Sequence, residues 1–246
     1  MAQDEIRFFG LGLGPGNPDY MTVRARTVLE TADRLVHFCK RGRRGNGRTI
    51  ADAVVGADQE REIALVYPVT TEIPADHPDY AAALAPFYEA ASVRLLSEIE
   101  AGRTVAVLCE GDPFFYGSFM HLWWRLKDRV PTEIVPAVSG MSGAWTRAGV
   151  PITWGDDVLT VIPGTLSEAE LVRRLSSTDA AVVMKLGRNL PKVRSALAAA
   201  GLLERAIYVE RATMSGEKII PLPDMPEEID APYFSLVIVP GQGRRV

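Results

Sequence analysis

Apolar and polar positions along this chain alternate with two periods, and the switches between them mark its elements. Short β-branched or aromatic runs bounded by Gly, Pro or charge predict strands over Ile6–Leu11, Arg34–Phe38, Ile63–Tyr67, Thr104–Cys109 and Thr132–Val135. Between the third and fourth, Leu84, Phe87, Tyr88, Ala91, Leu95 and Ile99 recur at helical spacing and predict a helix over Ala82–Glu100. Gly102 stands where its C-terminal cap belongs, and Pro86 marks either a kink or a first turn. The stretch Pro68–Asp79, with Pro74, His77 and Pro78 and no periodicity, reads as a loop.

The second half repeats the alternation. Val158–Ile162 predicts a strand, and Ser167-Glu168-Ala169-Glu170 has capping-box form at the head of a helix running to Leu175. Ala180–Lys185 predicts a strand, Asn189–Ala200 a helix closed by Gly201, and Ala206–Glu210 a further strand. Lys218–Leu222 and Ser235–Val239 complete the set, close enough in sequence to pair antiparallel. Pro131, Pro136 and the small residues of Ser139–Ala144 fall between the halves. The pattern predicts two α/β domains, 1–136 and 137–246.

Composition narrows the class. With 246 residues, 47% of them hydrophobic and 24% charged, the chain is long and apolar enough for ordinary cores without metal or disulfide. No apolar run nears the ~20 residues that cross a bilayer, and the acidic, polar start Met1-Ala2-Gln3-Asp4-Glu5 has no leader character. Two isolated cysteines, Cys39 and Cys109, suit a reducing cytoplasm. A net charge of −4 argues against binding nucleic acid through bulk charge.

Several motifs fail on their chemistry. Gly10-Leu-Gly12-Leu-Gly14-Pro15-Gly16 suggests a dinucleotide fingerprint, but its last glycine is Pro15 counted from Gly10 and Asn17 counted from Gly12. Gly42-Arg-Arg-Gly-Asn-Gly47-Arg48-Thr49 has P-loop spacing with Arg48 where a lysine must reach phosphate; a solvated basic loop is the plainer reading. His37, His77 and His121 share no ligand spacing, the cysteines form no C-x-x-C, and no metal is expected. No G-x-S-x-G elbow is present.

Three small-residue turns remain. Gly12-Leu-Gly14-Pro15-Gly16-Asn17-Pro18 and Glu110-Gly111-Asp112-Pro113-Phe114-Phe115-Tyr116-Gly117 each follow a predicted parallel strand, the first with Thr22 as a helix cap beyond it. Pro136-Ala-Val-Ser139-Gly140-Met-Ser142-Gly143-Ala144 opens a helix. Ligands of open α/β sheets bind at such carboxyl ends, where glycines admit close approach. Taken in order, and with Val183-Met184-Lys185-Leu186-Gly187 and Val209-Glu210-Arg211-Ala212-Thr213, these segments resemble the tetrapyrrole methylases over nearly the whole chain. Within that family, Val138–Ser142, Met184-Lys185 and the insert around Lys40–Arg48 are most similar to the precorrin-2 C-20 methyltransferases of cobalamin synthesis.

The resemblance implies a fold of two α/β domains, the N-terminal sheet mostly parallel and the C-terminal sheet mixed, with an active-site cleft between them in a homodimer. It implies S-adenosylmethionine as cofactor, leaving as S-adenosylhomocysteine, and methyl transfer to C-20 of precorrin-2, giving precorrin-3A. Cofactor contacts would be Pro15, Gly111, Asp112, Tyr116, Ser139, Gly140, Leu186 and Ala212, Leu186 being aligned on Gly187, with a one-residue slip to Met184 or Lys185 open. Asp112 would act as a base or orient the cofactor. The acetate and propionate groups of a tetrapyrrole would suit Arg41, Arg43, Arg44 and Arg48, beside Lys40, because guanidinium binds carboxylate bidentately. Cobalt-precorrin-2, uroporphyrinogen III, a diphthine precursor and ribosomal RNA are the other acceptors open to the fold, and a non-enzymatic ligand-binding module is also open.

Overall fold

The computed structural model describes residues 5–69, 78–226 and 231–243, which form two compact units dividing between Ser139 and Gly140, just beyond Pro136. Both units are α/β.

In the first unit, β1 (Phe8–Gly12), β2 (Arg34–Cys39), β3 (Glu62–Val66), β4 (Val105–Cys109) and β5 (Thr132–Val135) form one sheet in the order β3-β2-β4-β1-β5. Every neighbouring pair is parallel, so the sheet is wholly rather than mostly parallel. Strands β1 and β4 are buried at all five positions, as expected where helices cover both faces of a parallel sheet. Helices α1 (Val23–Thr31) and α2 (Asn46–Val55) supply Ala25, Leu29, Ile50 and Ala51 to one face, packed with Leu11, Leu35 and Leu108. Helices α3 (Pro78–Glu100) and α4 (Phe119–Leu126) supply Leu84, Tyr88, Leu95, Phe119 and Leu122 to the other, packed with Phe8, Val36 and Val107.

Three details depart from the sequence reading. Helix α3 begins at Pro78, which takes Pro78 and Asp79 out of the expected loop; Pro74 and His77 lie outside the described residues. Pro86 lies inside α3, which excludes a first-turn position. The expected basic loop becomes helical from Asn46 onward, because Ile50 and Ala51 have a core to enter and Gly47 lets the helix close on β4. A Cβ on Gly47 would stand 3.0 Å from the Leu108 carbonyl oxygen.

The second unit opens with α5 (Gly140–Arg147), followed by β6 (Leu159–Pro163), α6 (Glu168–Leu175), β7 (Ala180–Met184), α7 (Leu190–Ala199), β8 (Ile207–Glu210), β9 (Lys218–Pro221) and β10 (Ser235–Val239). Its sheet runs β6-β7-β10-β8-β9, parallel at β6–β7 and antiparallel elsewhere, and is therefore mixed. Strands β9 and β10 do not pair with each other, since β8 stands between them and forms the hairpin with β9. Ser167 caps α6 by accepting from the Glu170 N–H at 3.3 Å. Helices α6 and α7 cover one face through Leu171, Leu175, Val193 and Leu197. Ala144 of α5 packs on the other face with Val182, Val209 and Ile238.

Candidate active site

Because β1 lies between β4 and β5, the turns leaving all three emerge side by side at one sheet edge. Their spacing depends on Gly12. Its backbone is not left-handed, yet a Cβ there would stand 2.6 Å from the Ala137 Cβ and 3.0 Å from the Gly111 carbonyl oxygen. Only a residue without a side chain lets the three turns converge this closely. The β1 and β4 turns are then tied by backbone: Leu13 N–H donates to Cys109 O at 3.0 Å, and Gly111 N–H to Gly14 O at 2.8 Å. Gly14, Gly16 and Gly111 hold φ of 86°, 135° and 66°, a region open to glycine at little cost.

Asp112 closes the cluster. One carboxylate oxygen accepts from Phe114 N–H at 2.9 Å within its own turn, and the other accepts from Ala137 N–H at 3.2 Å in the β5 turn. Pro15 is buried, Ser139 is half-buried at the end of the β5 turn, and Tyr116 is exposed with φ 54°. Thus Pro15, Gly111, Asp112, Tyr116 and Ser139 share one end of one sheet.

The remaining expected contacts belong to the second unit. Ala212, Met184 and Met141, the neighbour of Gly140, pack against the same apolar cluster, so the three segments share one face of that sheet. Leu186 itself is turned into the opposite core cluster, and its carbonyl accepts from Asn189 N–H at 2.7 Å. Among the described residues, four that carry side chains have left-handed backbones: Tyr116, Lys185, Arg211 and Thr213. All four lie in or beside the expected cofactor segments, where strain is held by surrounding structure.

The basic run is split by the fold. Lys40, Arg41 and Arg43 are exposed. Arg44 is committed to Asp52 at 2.8 Å and to Glu62 at 3.4 Å. Arg48 is fully buried, 2.8 Å from Asp52, 3.4 Å from Glu62, and donating to Gly56 O at 2.9 Å. Buried His37 adds a 2.8 Å contact with Glu62. In this arrangement Arg48 offers no surface to a substrate, which corrects its place in the expected clamp; it neutralises carboxylates inside the unit.

Sequence reasoning missed Glu110. Its carboxylate accepts from Gly47 N–H in the first turn of α2 at 2.8 Å, fastening the end of the basic segment to the β4 turn. Burial pushes its carboxyl above the ordinary glutamate range, while backbone hydrogen bonds pull the other way. It also missed Arg147 and Glu217, whose partners no local pattern announces. Among the described residues no three His, Cys, Asp or Glu side chains gather as a metal site, and no helix is long and apolar enough to cross a membrane.

Fold and turn geometry together define a two-unit α/β protein with glycine turns at strand ends, and comparison with known proteins gives the family. The family model of Tetrapyrrole (Corrin/Porphyrin) Methylases matches residues 7–225, and the chain belongs to that family. It is 52% identical over 235 residues to a precorrin-2 C(20)-methyltransferase of Sinorhizobium sp, covering 96% of this chain and 95% of that one. Identity to the cobalamin biosynthesis protein CobIJ of Mycobacterium tuberculosis is 47% over 96% of this chain, which spans 46% of that longer protein. A cobalt-precorrin-2 C(20)-methyltransferase of Salmonella typhimurium is 31% identical, over 95% of each chain. Among solved structures, the cobalt precorrin-4 methyltransferase CbiF aligns with TM-score 0.69 at 22% identity, covering 95% of this chain and 94% of that one. A uroporphyrin-III C-methyltransferase of Thermus thermophilus complexed with S-adenosylhomocysteine aligns with TM-score 0.63 at 20% identity, covering 94% and 96%. These two likenesses establish the fold.

Proposed function

We propose that this chain is an S-adenosylmethionine-dependent C-methyltransferase that methylates C-20 of precorrin-2 to give precorrin-3A in cobalamin biosynthesis. The observation that carries the reading is the 52% identity to the Sinorhizobium enzyme, extending over nearly the whole of both chains. Cobalt-precorrin-2 is the second reading, supported by the 31% identity to the Salmonella protein and ranked below the first by that lower figure at similar coverage.

S-adenosylmethionine supplies an electrophilic methyl group, and the residues present suit it. A cofactor without phosphates needs no P-loop lysine. Asp112 provides a negative charge fixed by two backbone donors, with lone pairs left for the cofactor ammonium. Pro15, Gly111, Tyr116, Ser139, Gly140, Ala212 and the Leu186 backbone are the proposed cofactor contacts. Asp112 takes the orienting role, since a carboxylate anchored to two turns is better placed to hold a cation than to follow a departing proton. The exposed Arg41 and Arg43 would meet the carboxylates of the tetrapyrrole rim; Arg44 and Arg48 stay with their internal acids. Alignment of the acceptor carbon in a dry site is the main rate lever, worth up to about 7–11 kcal/mol in favourable cases. A homodimer and a cytoplasmic setting go with this reading; the two unbridged, buried thiols, Cys39 and Cys109, support the latter.

The test incubates the purified chain with S-adenosylmethionine and either precorrin-2 or cobalt-precorrin-2, with mass spectrometry and NMR as readouts. One methyl gained at C-20 of the metal-free ring is expected; a gain on the cobalt ring alone selects the second reading, and no gain on either overturns both. Arg41→Ala with Arg43→Ala is expected to raise the tetrapyrrole KM several-fold at low salt and less at high salt, as screening of exposed charge requires.

A further inference from the structure

We propose that Glu217 is a positioning residue for the cofactor: gripped by Arg147, it holds the Arg211–Thr213 turn in the shape that presents the Ala212 backbone to S-adenosylmethionine. This rests on the cofactor reading above and adds two residues to it.

Arg211 and Thr213, on either side of Ala212, have φ of 49° and 68°, conformations that cost any residue bearing a Cβ. Such residues keep that shape only where neighbouring contacts impose it. At one end Arg211 N–H donates to Phe234 O at 2.7 Å, and Met214 N–H closes the turn on Arg211 O at 2.9 Å. At the other end Thr213 N–H donates to the Glu217 carboxylate at 2.7 Å. That carboxylate is itself fixed by the Arg147 guanidinium, with Nε 2.9 Å from one oxygen and Nη2 2.8 Å from the other.

The Arg147 side chain is 49% exposed, but the acid it grips is shielded. The Glu217 side chain is only 17% exposed, and the fork is bidentate, a geometry that fixes direction as well as distance. Hydrogen bonds from Arg147 hold the Glu217 carboxyl below the usual glutamate range, so it is a charged acceptor at neutral pH. Arg147 ends α5, the helix that Gly140 begins. One ion pair therefore fastens two of the expected cofactor segments of this unit to each other. Neither residue need touch the cofactor; each acts through the turn.

Releasing the turn would lower the fraction of molecules with a binding-competent backbone, and the apparent Kd rises as the inverse of that fraction. If about one molecule in ten keeps the shape, binding weakens about tenfold. Isothermal titration of the full-length chain with S-adenosylmethionine and S-adenosylhomocysteine, together with steady-state kinetics, reads this directly. Glu217→Ala is expected to raise both Kd values about tenfold, while kcat at saturating cofactor and the tetrapyrrole KM stay within about twofold of wild type. Glu217→Gln keeps an acceptor for Thr213 N–H but loses the charge pair, and is expected to weaken binding about threefold. Arg147→Met should add little to Glu217→Ala, because both act on one turn. Unchanged cofactor Kd in Glu217→Ala, or in Glu217→Gln if the alanine variant does not fold, overturns the assignment. Equal losses in cofactor affinity and tetrapyrrole KM also overturn it, since they indicate general disorder. A wild-type chain that binds no S-adenosylmethionine defeats the functional reading itself, a separate outcome.

Discussion

The two units shape their turns with different balances of glycine and strain. At the carboxyl edge of the first sheet, close approach comes chiefly from missing side chains: Gly12 leaves room for Ala137, and Gly14, Gly16 and Gly111 take left-handed shapes without strain. Tyr116 is the exception there. In the second unit Gly187 and Gly216 also take positive φ, but Lys185, Arg211 and Thr213 beside them take left-handed shapes despite their side chains, and the turn around Ala212 is held by an ion pair. Each unit also ties its turns with a carboxylate accepting from turn backbone, Asp112 in one and Glu217 in the other. A turn made from glycine takes its shape without steric strain. One made from strained residues depends on its clamp.

Substitutions can break this contrast. The largest effect is expected from Gly12→Val, whose side chain would enter space already filled by Ala137 and the Gly111 carbonyl. Overpacking of this kind costs about 3 kcal/mol at the upper end of its usual range, and calorimetry should show Tm about 10 °C lower with cofactor binding abolished. A wild-type Tm would mean that the turns part easily and that the glycine is incidental.

Asp112→Asn comes next. The amide has one acceptor oxygen where the carboxylate has two, so either Phe114 N–H or Ala137 N–H then faces an NH2 group. A fully buried donor left without an acceptor costs about 1–3 kcal/mol, and these partly exposed ones cost less. Cofactor affinity should fall roughly tenfold, with rate recovering as cofactor is added, by about 1.4 kcal/mol of lost binding. A lower kcat at unchanged cofactor affinity would instead make Asp112 the base.

Acidification separates two carboxylates of opposite character. Glu217, depressed by Arg147, contributes stability that is complete above the ordinary value near 4.5 and is lost as pH falls through its lower folded value. Glu110, raised by burial, behaves the other way: wild type loses stability relative to Glu110→Gln as pH rises from about 4.5 toward the raised folded value. Urea unfolding from pH 3 to 8, a range chosen to span about one and a half units below and several above 4.5, should show the Glu217→Gln deficit closing at acid pH and the Glu110→Gln advantage opening at neutral pH. Parallel curves for the two variants would remove the distinction.

Thr213→Gly is the mildest change. Glycine relieves the left-handed strain at φ 68° while adding freedom to the unfolded chain, leaving a net effect within about 1 kcal/mol. Tolerance here beside intolerance at Gly12 would sharpen the contrast; a large loss at Thr213 would show that its side chain has duties beyond holding a shape.

The same contrast explains what the sequence could disclose. Glycine turns are visible as letters, so Gly12–Gly16 and Glu110–Gly117 stood out, as did the strands before them, whose unbroken apolar runs match a sheet covered on both faces. Helix α2 was hidden because Gly42–Gly47 reads as a loop, and the acids that admit Arg48 to the interior include Glu62 from a separate strand. Helix α4 was hidden because Trp123 and Trp124 beside Phe119 and Leu122 blur its polar face. Nothing near Arg147 in sequence points to Glu217, a bond across 70 positions. Local patterns reveal what a residue does alone; long-range charge pairing is written in two places at once.

The interior charges around Arg48 restrict how this segment can change. Removing one member of a buried ion pair typically costs about 3–5 kcal/mol, because the opposite charge is left stranded. Arg48, Asp52 and Glu62 therefore form a block in which a single change is expected to cost more than a joint one. Lys40, Arg41 and Arg43 carry no such burial and can change one at a time. Adapting this scaffold to a differently decorated acceptor would meet little stability cost at Lys40, Arg41 and Arg43 and a steep one at Arg48, Asp52 and Glu62: a variable rim on an anchored base.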